Sequence, residues 1–590
     1  MCGIVGYIGK KQALPILIKG LKRLEYRGYD SAGVAFFDHN KIKIQKSVGR
    51  IQKLEEKLNF SISSHIGIGH TRWATHGKVT TKNSHPHQVG NITIVHNGII
   101  ENYLDLKKEL ENHGYSFQTQ TDTEVACALI DWEKKIHSSL KMIDVLNKVM
   151  KKIKGSYAIV IMDQTEQDKL YVIKKESPLV IGIGKEEYFI ASDFSAYLDE
   201  TKNYIILEDN EIGILSMNDI AIYQEGTLKE CTIKTLNEEV EIATKGEQEH
   251  YMIKEIKEQS QLIQKWNTLY FNQKEKLPDI TSYQRIHIVA CGTAYHAGLI
   301  GKYLLEKNTD FEVNVYVASE YRYQKNFLDE NTLVIAISQS GETADTLACI
   351  KMAKEEGTTT LGIINVYNSS IARICDFVIY THAGSEVAVA STKAYTSQIY
   401  VLGLLALEYQ KKKEEKNTYQ ELPKKIEELI NFDYSSIIDH IYLKKDIFYL
   451  GRNIDYISML EGSLKLKEIT YIHSEAFPAG ELKHGPISLI EENTPVIALI
   501  THKETALKTI SNIKEVKARG AYVILIITKG ILENIDKNAY DEIIYLPKTD
   551  EYTSPILSII PLQLIAYYTA KRKNLDIDKP RNLAKSVTVE

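Results

Sequence analysis

Short apolar runs separated by turn residues fill the chain up to about residue 235. GIVGYIG, AGVAFFD, NITIVHNG and SYAIVIMD are typical of these runs, and each has the length of a β-strand. Apolar runs of this length, bounded by Gly, Asn or Asp, indicate strands joined by turns. The pattern therefore predicts a sheet-rich first half.

The pattern changes after this point. LNEEVEIATKGEQ (236–248) is polar and charged, as linkers are, and HYMIKEIKEQSQLIQKWN (250–267) then has the apolar spacing of a helix. From there on, strand-like and helix-like segments alternate, which predicts a layered α/β architecture with parallel strands. The predicted parts of the chain are a first domain at 2–238, a linker at 239–248, two further domains at 249–425 and 426–572, and a tail at 573–590.

The α/β half contains an internal repeat. RIHIVACGTAYHAG (285–298) is similar to DIFYLGRNIDYISMLEG (446–462), and TLVIAISQSGETADTL (332–347) is similar to TPVIALITHKETALKT (494–509). Each is a strand, a turn and the start of a helix, and the copies lie about 160 residues apart. This period indicates two duplicated domains, which the charged segment KKKEEKNTYQELPKK (411–425) joins.

Composition and charge exclude several classes of protein. The 590 residues carry a net charge of -5 and the basic residues are dispersed, so we expect no nucleic-acid-binding face. The six cysteines form no CxxC pair, which argues against a disulfide framework and a zinc site. SPILSIIPLQLIAYYTA (554–570) is short for a membrane span and is expected to form a buried helix. The N-terminus lacks a secretory signal, so we expect a cytoplasmic protein.

SQSGET (338–343) follows an apolar strand and precedes a helix. The unpaired N–H groups and the dipole at the start of a helix favour an anion there. Gly341 permits close approach of the backbone, and the neighbouring side chains supply hydroxyl and amide donors: Ser338, Gln339, Ser340 and Thr343. We expect a phosphate-binding loop, with simple capping of the helix as the alternative. The second copy has ITHKET here, so the copies are expected to differ in function.

Cys2 and four polar clusters suggest a second site in the first half. The clusters are YRGYDSAG (26–33), GHTRWATHG (69–77), VHNGIIEN (95–102) and QTDTEV (120–125). Together they offer a guanidinium, a carboxylate and an Asn-Gly pair able to donate to an oxyanion, as a thiol acyl transferase requires. Structural alternatives are a small apolar residue at Cys2, a surface pair of Arg27 and Asp30, core histidines at His70 and His76, a hairpin turn at Asn97-Gly98, and a helix N-cap at Asp122.

These motifs resemble a known family over essentially the whole chain. MCGIVGYIG, RGYDSAG, GHTRWATHG and HNGIIEN resemble the glutaminase domain of the N-terminal-nucleophile (Ntn) amidotransferases. SQSGET, ASTKAYTSQ, LKLKE, ELKHGP and PRNLAKSVTVE resemble the sugar isomerase (SIS) domains and tail of the bacterial glutamine:fructose-6-phosphate aminotransferase family. The resemblance implies an α+β Ntn glutaminase domain, an αββα sandwich, followed by two α/β SIS domains with parallel sheets in αβα layers.

The implied activity is the first step of the hexosamine pathway. Glutamine and fructose 6-phosphate would give glutamate and glucosamine 6-phosphate, with ammonia passing between two sites. The resemblance implies a homodimer and calls for no cofactor and no metal. It also implies the glutamine-binding residues: Arg72 on the α-carboxylate, Asp122 on the α-ammonium, Arg27 in the loop that orders the site, Trp73 as the ammonia gate, and Thr75, His76 and Gly77.

Removal of Met1 would leave Cys2 with a free α-amine beside its own thiol. That amine has a reference pKa of about 7.7 to 8.0, so it can act as the base for the thiol, through a water. We expect the Cys2 thiolate to attack the glutamine side-chain amide, with Asn97 and the Gly98 N–H holding the oxyanion.

In LKLKE, Lys465 and Glu468 are three residues apart and share a helix face, where a surface ion pair is the alternative. The resemblance assigns Glu468 the proton transfer from C1 to C2, with Lys465 nearby. It makes His484 the ring-opening residue, reaching the neighbouring subunit's site, and Lys585 the Schiff-base amine. The implied sugar-phosphate residues are Thr293, Ser338, Gln339, Ser340, Thr343, Ser391 and Lys393.

One departure from the family pattern, the absence of a eukaryotic insertion and three rival functions bear on this reading. Ala294 stands where many family members carry serine, and the glutaminase insertion of the eukaryotic enzymes is absent. An amidophosphoribosyltransferase would need an acidic diphosphate-binding segment, and a SIS-domain sensor usually carries a basic helix-turn-helix; the sequence has neither. A paralogue that acts on another keto-sugar phosphate remains open, since the loop recognises the phosphate and not the ring.

Overall fold

A computed structural model describes residues 2–74, 76–236, 245–272, 276–410, 419–532 and 535–588. The described residues form two compact units, one of residues 2–236 with 586–588 and one of residues 245–585. The assignment of Thr75 to the glutamine site lies outside these ranges, and the predicted linker at 239–248 and joining segment at 411–425 lie partly outside them.

The first unit is built from fifteen strands and five helices in its described residues. The strands are β1 (Gly3–Gly9), β2 (Ser31–Asp38), β3 (Lys41–Val48), β4 (Ile66–Arg72), β5 (His87–Val89), β6 (Ile92–Ile100), β7 (Gly155–Asp163), β8 (Glu166–Lys175), β9 (Val180–Ile183), β10 (Glu187–Ala191), β11 (Asn203–Ile206), β12 (Glu211–Ser216), β13 (Ile220–Gln224), β14 (Thr227–Lys229) and β15 (Lys234–Thr235). The helices are α1 (Ala13–Leu24), α2 (Ile51–Glu55), α3 (Tyr103–Asn112), α4 (Asp122–Ile136) and α5 (Met142–Lys152).

These elements form a sandwich of two antiparallel sheets. The strand orders are β15-β11-β9-β10-β1-β4-β2-β3 and β14-β13-β12-β8-β7-β6-β5. An apolar layer that includes Ile4, Ile68 and Val160 lies between the sheets. Helices α1 and α2 pack on the outer face of the first sheet and α3 to α5 on that of the second. The αββα sandwich implied by the resemblance is confirmed.

The second unit contains ten strands and eleven helices in its described residues. The strands are β16 (Arg285–Ala290), β17 (Glu312–Val317), β18 (Thr332–Ser338), β19 (Thr359–Ile364), β20 (Phe377–Tyr380), β21 (Asp446–Gly451), β22 (His473–Pro478), β23 (Pro495–Ile500), β24 (Tyr522–Thr528) and β25 (Glu542–Leu546). The helices are α6 (Tyr251–Phe271), α7 (Thr293–Asn308), α8 (Ala318–Tyr321), α9 (Ala344–Glu355), α10 (Ser370–Ile374), α11 (Lys393–Glu408), α12 (Leu422–Ile430), α13 (Ser435–Ile441), α14 (Ile454–Thr470), α15 (Lys503–Lys517) and α16 (Ser554–Arg572).

The strands of the second unit form two parallel sheets of five strands each. Their orders, β17-β16-β18-β19-β20 and β22-β21-β23-β24-β25, follow the same scheme, so the predicted duplication is confirmed. In the first sheet β17 and β18 lie on opposite sides of β16, and in the second sheet β22 and β23 lie on opposite sides of β21. Each arrangement opens a crevice, one at the carboxyl ends of β16 and β18 and the other at those of β21 and β23. Ligands of open α/β sheets bind at such a point.

Two helices predicted from the apolar pattern are confirmed. The segment at 250–267 forms α6 from Tyr251 onward, with His250 as the N-cap. The segment at 554–570 lies within α16, which is buried along nearly all its length and contains Pro561 in its interior. No helix that the structure describes combines the length and the apolar character that a membrane span requires.

Candidate functional sites

The first candidate site lies where β1 begins, and we call it the thiol site. Because β1 and β4 are antiparallel neighbours with Gly3 opposite Thr71, the start of β1 lies beside the end of β4. This brings Trp73, just past β4, to Cys2: the Trp73 N–H donates to Cys2 Sγ at 3.3 Å. Burial raises the pKa of the Cys2 thiol. The thiol therefore needs a base to become a nucleophile at neutral pH.

Asn97 reaches Cys2 from β6 in the facing sheet. Its Nδ2 donates to the Cys2 carbonyl oxygen at 3.0 Å. Its Oδ1 lies 3.1 Å from His70 Nε2, which also lies 3.0 Å from the His96 carbonyl oxygen. Asn97 and Gly98 lie inside β6, so the alternative of a hairpin turn is wrong.

The protonation of His70 fixes the direction of the Asn97 amide. Burial lowers the pKa of His70 to about 3, so the ring is neutral and carries one proton. The His96 carbonyl oxygen, Asn97 Oδ1 and, at 3.1 Å, His85 Nδ1 all lie at Nε2. Nδ1 is buried and has no hydrogen-bond partner among the described residues, so we assign the proton to Nε2. The Asn97 carbonyl oxygen is thereby held on the histidine side and its NH₂ group faces Cys2.

Arg72 supplies the guanidinium at this site. It is only 4% exposed, and its N–H groups donate to the carbonyl oxygens of His76, Gly77 and Lys78. No carboxylate of the described residues lies within ion-pair distance of it, and burial lowers its pKa. A buried cation that has only carbonyl partners is a favourable place for a substrate carboxylate.

Asp122 and Arg27 complete the thiol site. Asp122 begins α4, where Oδ1 accepts from the Thr123 N–H at 3.0 Å and Oδ2 from the Ile100 N–H at 2.9 Å. Arg27 is buried and its Nη1 lies 3.4 Å from Asp193, so the alternative of a surface pair with Asp30 is wrong. Its Nε donates to the Cys2 carbonyl oxygen at 3.4 Å.

The second candidate site lies in the crevice of the first parallel sheet. SQSGET begins at Ser338, the last residue of β18, and ends at Thr343, the N-cap of α9. Ser338 Oγ accepts from the Gly341 N–H at 3.0 Å and lies 3.1 Å from Thr343 Oγ1. Gly341 has φ +63°, and a Cβ atom there would lie 1.9 Å from Ser369 Oγ. The loop thus depends on glycine and turns its hydroxyl groups toward one another.

The second sheet has the same crevice but fills it with its own side chain. Asp455, in the first turn of α14, is buried and accepts from the Thr501 N–H at 3.0 Å and from the Thr501 hydroxyl. Thr501 is the second residue of ITHKET, the segment that corresponds to SQSGET. A carboxylate therefore occupies the place where the first copy offers donors to an external anion, which is a physical reason for the predicted difference between the copies.

A buried ionic cluster on α14 lies beside the first crevice. Lys465 Nζ lies 2.6 Å from Glu468 and 3.3 Å from Glu461, and it donates to Thr293 Oγ1 at 3.0 Å. Glu461 also lies 2.7 Å from His296 Nδ1. The Lys465 side chain is 0% exposed, so the alternative of a surface ion pair is wrong. Burial raises the pKa of Glu468, which favours a role in proton transfer.

Lys585 lies in a second buried ionic cluster, near the amino end of α11. Its ammonium contacts the Glu386 carboxylate and donates to Ser391 Oγ at 3.0 Å. Lys393 is also buried, and its Nζ lies 2.8 Å from Glu258. The tail is thus held by a buried charge pair at the position predicted for the Schiff-base lysine.

His484 stands apart from these clusters in the single chain. It ends the short 3₁₀ turn Glu481–His484 and is exposed. Within the described ranges its ring forms no hydrogen bond or ion pair. The structure therefore brings together Thr293, Lys465 and Glu468, and separately Ser391 and Lys585, but does not bring His484 to either group.

Three residues with contacts in these clusters carry no role in the sequence prediction: the half-buried His296 and the buried Glu461 and Glu386. Glu461 precedes Lys465 by four positions and Glu468 by seven, so helical spacing alone could have placed it on the same face. His296 is part of CGTAYHAG and one turn from Thr293. Glu386 could not have been found this way, because 199 positions separate it from Lys585.

Comparisons with known proteins identify the domains that carry the two candidate sites. A model of the SIS domain matches residues 279–408 and 440–571, and a model of the glutamine amidotransferase domain matches residues 70–199. The chain is 49% identical to the isomerizing glutamine–fructose-6-phosphate aminotransferase of Clostridium tetani and 47% identical to that of Caldanaerobacter subterraneus, each alignment covering 100% of both chains. The C-terminal domain of glucosamine-fructose-6-phosphate aminotransferase from Francisella tularensis matches with a TM-score of 0.53 and 36% identity, covering 57% of this chain and 100% of that one.

Proposed function

The chain belongs to the glutamine–fructose-6-phosphate aminotransferase family, and we propose how its two units divide the reaction. It converts fructose 6-phosphate and glutamine into glucosamine 6-phosphate and glutamate. The first unit releases ammonia from glutamine at the thiol site. The second unit holds the sugar phosphate, opens it, adds nitrogen at C2 and moves a proton from C1 to C2.

At the thiol site, the first step is attack of Cys2 Sγ on the side-chain amide carbon of glutamine. After loss of Met1, the α-amine of Cys2 takes the thiol proton, through a water, and later gives a proton to the leaving ammonia. The C–N bond breaks as the tetrahedral intermediate collapses to a thioester, which water then hydrolyses to glutamate. The support for this step is the position of Cys2 beside Trp73 and Asn97.

The oxyanion of the tetrahedral intermediate is stabilised by Asn97 Nδ2 and the Gly98 N–H. The His70 ring holds the Asn97 amide in the donating orientation. Arg72 binds the α-carboxylate of glutamine, since its guanidinium is buried and surrounded by carbonyl oxygens. Asp122 takes the α-ammonium, and Arg27 fixes the Cys2 backbone. Loss of one such oxyanion donor typically costs about 10²- to 10³-fold in turnover.

In the second unit, SQSGET binds the phosphate of the sugar. Its hydroxyl groups and the amino end of α9 supply the donors. Thr293 contributes less to the phosphate than the sequence prediction implied, because its hydroxyl bonds to Glu461 and Lys465. Lys585 forms the Schiff base with the open-chain sugar, Glu468 moves the proton between C1 and C2, and Lys465 holds Glu468 in place.

The chain acts as a homodimer in the cytoplasm. Ring opening requires a group at the ring oxygen, and His484 is exposed and outside both ionic clusters of its own chain. His484 therefore serves the site of the neighbouring subunit, and each active site is completed by two chains.

This proposal rests on the presence of two sites in one chain of this family. One is a thiol with an amide donor aligned beside it, and the other is a lysine that contacts a buried carboxylate. The test is incubation with amide-¹⁵N glutamine and each of several keto-sugar phosphates. We expect ¹⁵N at C2 of glucosamine 6-phosphate with fructose 6-phosphate. Release of glutamate and ammonia without a labelled amino sugar, or faster labelling of another keto-sugar phosphate, would contradict it.

A further inference from the structure

Glu386 is a buried carboxylate in the second unit to which neither the sequence motifs nor the family comparisons assign a role. Its side chain is 0% exposed and that of its partner Lys585 is 2% exposed. Burying a charged pair is costly unless each charge has further hydrogen-bond partners. Because this buried charged pair includes the amine proposed to react with the sugar, its presence requires a chemical explanation.

The Glu386 carboxylate is held rigidly on its other side. Its Oε1 accepts from the Thr392 N–H at 2.9 Å and from the Ala394 N–H at 3.0 Å, at the start of α11. Oε2 is left to contact Lys585 Nζ. The start of the helix thus fixes one carboxylate oxygen, and the other oxygen faces the lysine. Lys585 Nζ also donates to Ser391 Oγ at 3.0 Å.

From this geometry we infer that Glu386 is the proton acceptor and the counter-ion of Lys585 during Schiff-base formation. This inference rests on the proposed role of Lys585 and extends it. Among the carboxylates of the described residues, Glu386 is the one in contact with Lys585 Nζ.

The proton balance requires such a group. The Lys585 ammonium gives one proton to Glu386, and the amine then forms a bond to C2 while the C2–O π bond opens. A second proton passes from nitrogen to the new alkoxide. Glu386 returns the first proton to this hydroxyl, the C–O bond breaks and water leaves. The product is an iminium cation on Lys585, paired with the Glu386 carboxylate. One positive and one negative charge are therefore paired both before and after Schiff-base formation.

A neighbouring carboxyl group, that of Glu255, lies beside the Glu386–Lys585 pair. Glu255, on α6, accepts from the Val387 N–H at 2.6 Å and from the Ala388 N–H at 3.2 Å. Burial and the Glu386 carboxylate raise the pKa of Glu255 to about 8, so it is mostly protonated at neutral pH. Although burial opposes it, the Lys585 ammonium and the two N–H donors lower the pKa of Glu386 to about 2. Glu386 is thus the ionised member of the two.

This difference supplies a matched pair of variants. Glu386→Gln keeps the hydrogen-bond acceptor for Thr392 and Ala394 but removes the charge and the base. Glu255→Gln replaces a carboxyl group that is already neutral. Both are nearly isosteric changes in the same packed region.

The test measures borohydride trapping of fructose 6-phosphate on the full-length protein, with mass spectrometry of the Lys585 peptide. We expect the trapping rate of Glu386→Gln to fall about a hundredfold or more, that of Glu255→Gln to stay within about threefold of the parent, and Glu386→Asp to recover part of the loss. Binding of glucitol 6-phosphate, which cannot form an imine, should change less than about threefold in both Gln variants and shows that they fold.

Each other outcome has a defined meaning. Equal trapping rates in Glu386→Gln and the parent overturn the inference and leave the role of Lys585 intact. Equal losses in Glu255→Gln and Glu386→Gln also overturn it, because they assign the effect to packing. The absence of a Lys585 adduct in the parent protein overturns the proposed role of Lys585 and this inference with it.

Discussion

At the thiol site, a single ring proton decides which end of the Asn97 amide faces Cys2. His70 carries it on Nε2, where it meets both the His96 carbonyl oxygen and Asn97 Oδ1. The ring stays neutral because it is buried, and not because a base removes its proton. We therefore expect a residue that would ordinarily be taken as a core histidine to have a positioning role in the proposed glutaminase reaction.

We predict that His70→Leu lowers kcat for glutamine hydrolysis about ten- to a hundredfold, with a smaller change in KM. Leucine leaves Asn97 Oδ1 without its donor, so the amide is free to turn and the oxyanion loses part of its stabilisation. His70→Gln, which can offer an N–H at a similar place, should lose less than about threefold. Steady-state glutaminase assays measure both.

Borohydride trapping at Lys585 in the second unit is the control for this pair and should be unchanged. Full glutaminase turnover in His70→Leu would show that the orientation of Asn97 does not depend on His70.

At the scale of the element, the most informative unit is the strand, loop and helix around SQSGET. The sequence pattern predicts β18, the loop and α9 in the right order, because strand and helix periodicity and a glycine turn are local properties. The contact of Gly341 with Ser369 is not local, since Ser369 precedes α10 in a later part of the chain. The local sequence pattern predicts where the loop lies in the chain, but the conformation of the loop depends on packing against residues that are distant in the sequence.

Two glycines at the ends of α9 make this testable. Gly341→Ala should raise KM for fructose 6-phosphate at least about tenfold, because the added Cβ displaces the loop from Ser369 and disfavours φ +63°. Gly357→Ala is the matched control: its φ is +74°, but nothing lies within 4 Å of the added Cβ. It carries a comparable backbone strain and should leave KM within about twofold.

Both KM values come from the same synthase assay. If the two variants raise KM equally, backbone strain in general and not the shape of the phosphate loop explains the effect.

At the scale of the whole molecule, the sequence predicts more of the fold than of the sites. Periodicity, the repeat and the family motifs give the sandwich, the two parallel sheets and the identity of Cys2, Glu468 and Lys585 as candidates. They do not give Glu386 or Asp455, because those contacts join segments that are distant in the chain. They also do not show how Thr293 is engaged, which depends on α14 packing beside α7.

A complementation experiment tests the proposed two-chain active site. His484→Ala and Lys585→Ala proteins, each inactive alone, are mixed under conditions that exchange subunits. If His484 serves the partner's site, half of the dimers are mixed and each has one intact site, so activity should return to about a quarter of the parent value. If His484 serves its own chain, every site in a mixed dimer lacks one group and activity stays absent.

The most direct test of the central claim is the mass of the active protein before and after reaction with a glutamine-like diazoketone. The account predicts that active molecules lack Met1, that one adduct forms on Cys2, and that labelling removes glutamine hydrolysis in proportion to the adduct. Active protein that retains Met1, or that keeps its activity after Cys2 is labelled, would contradict it.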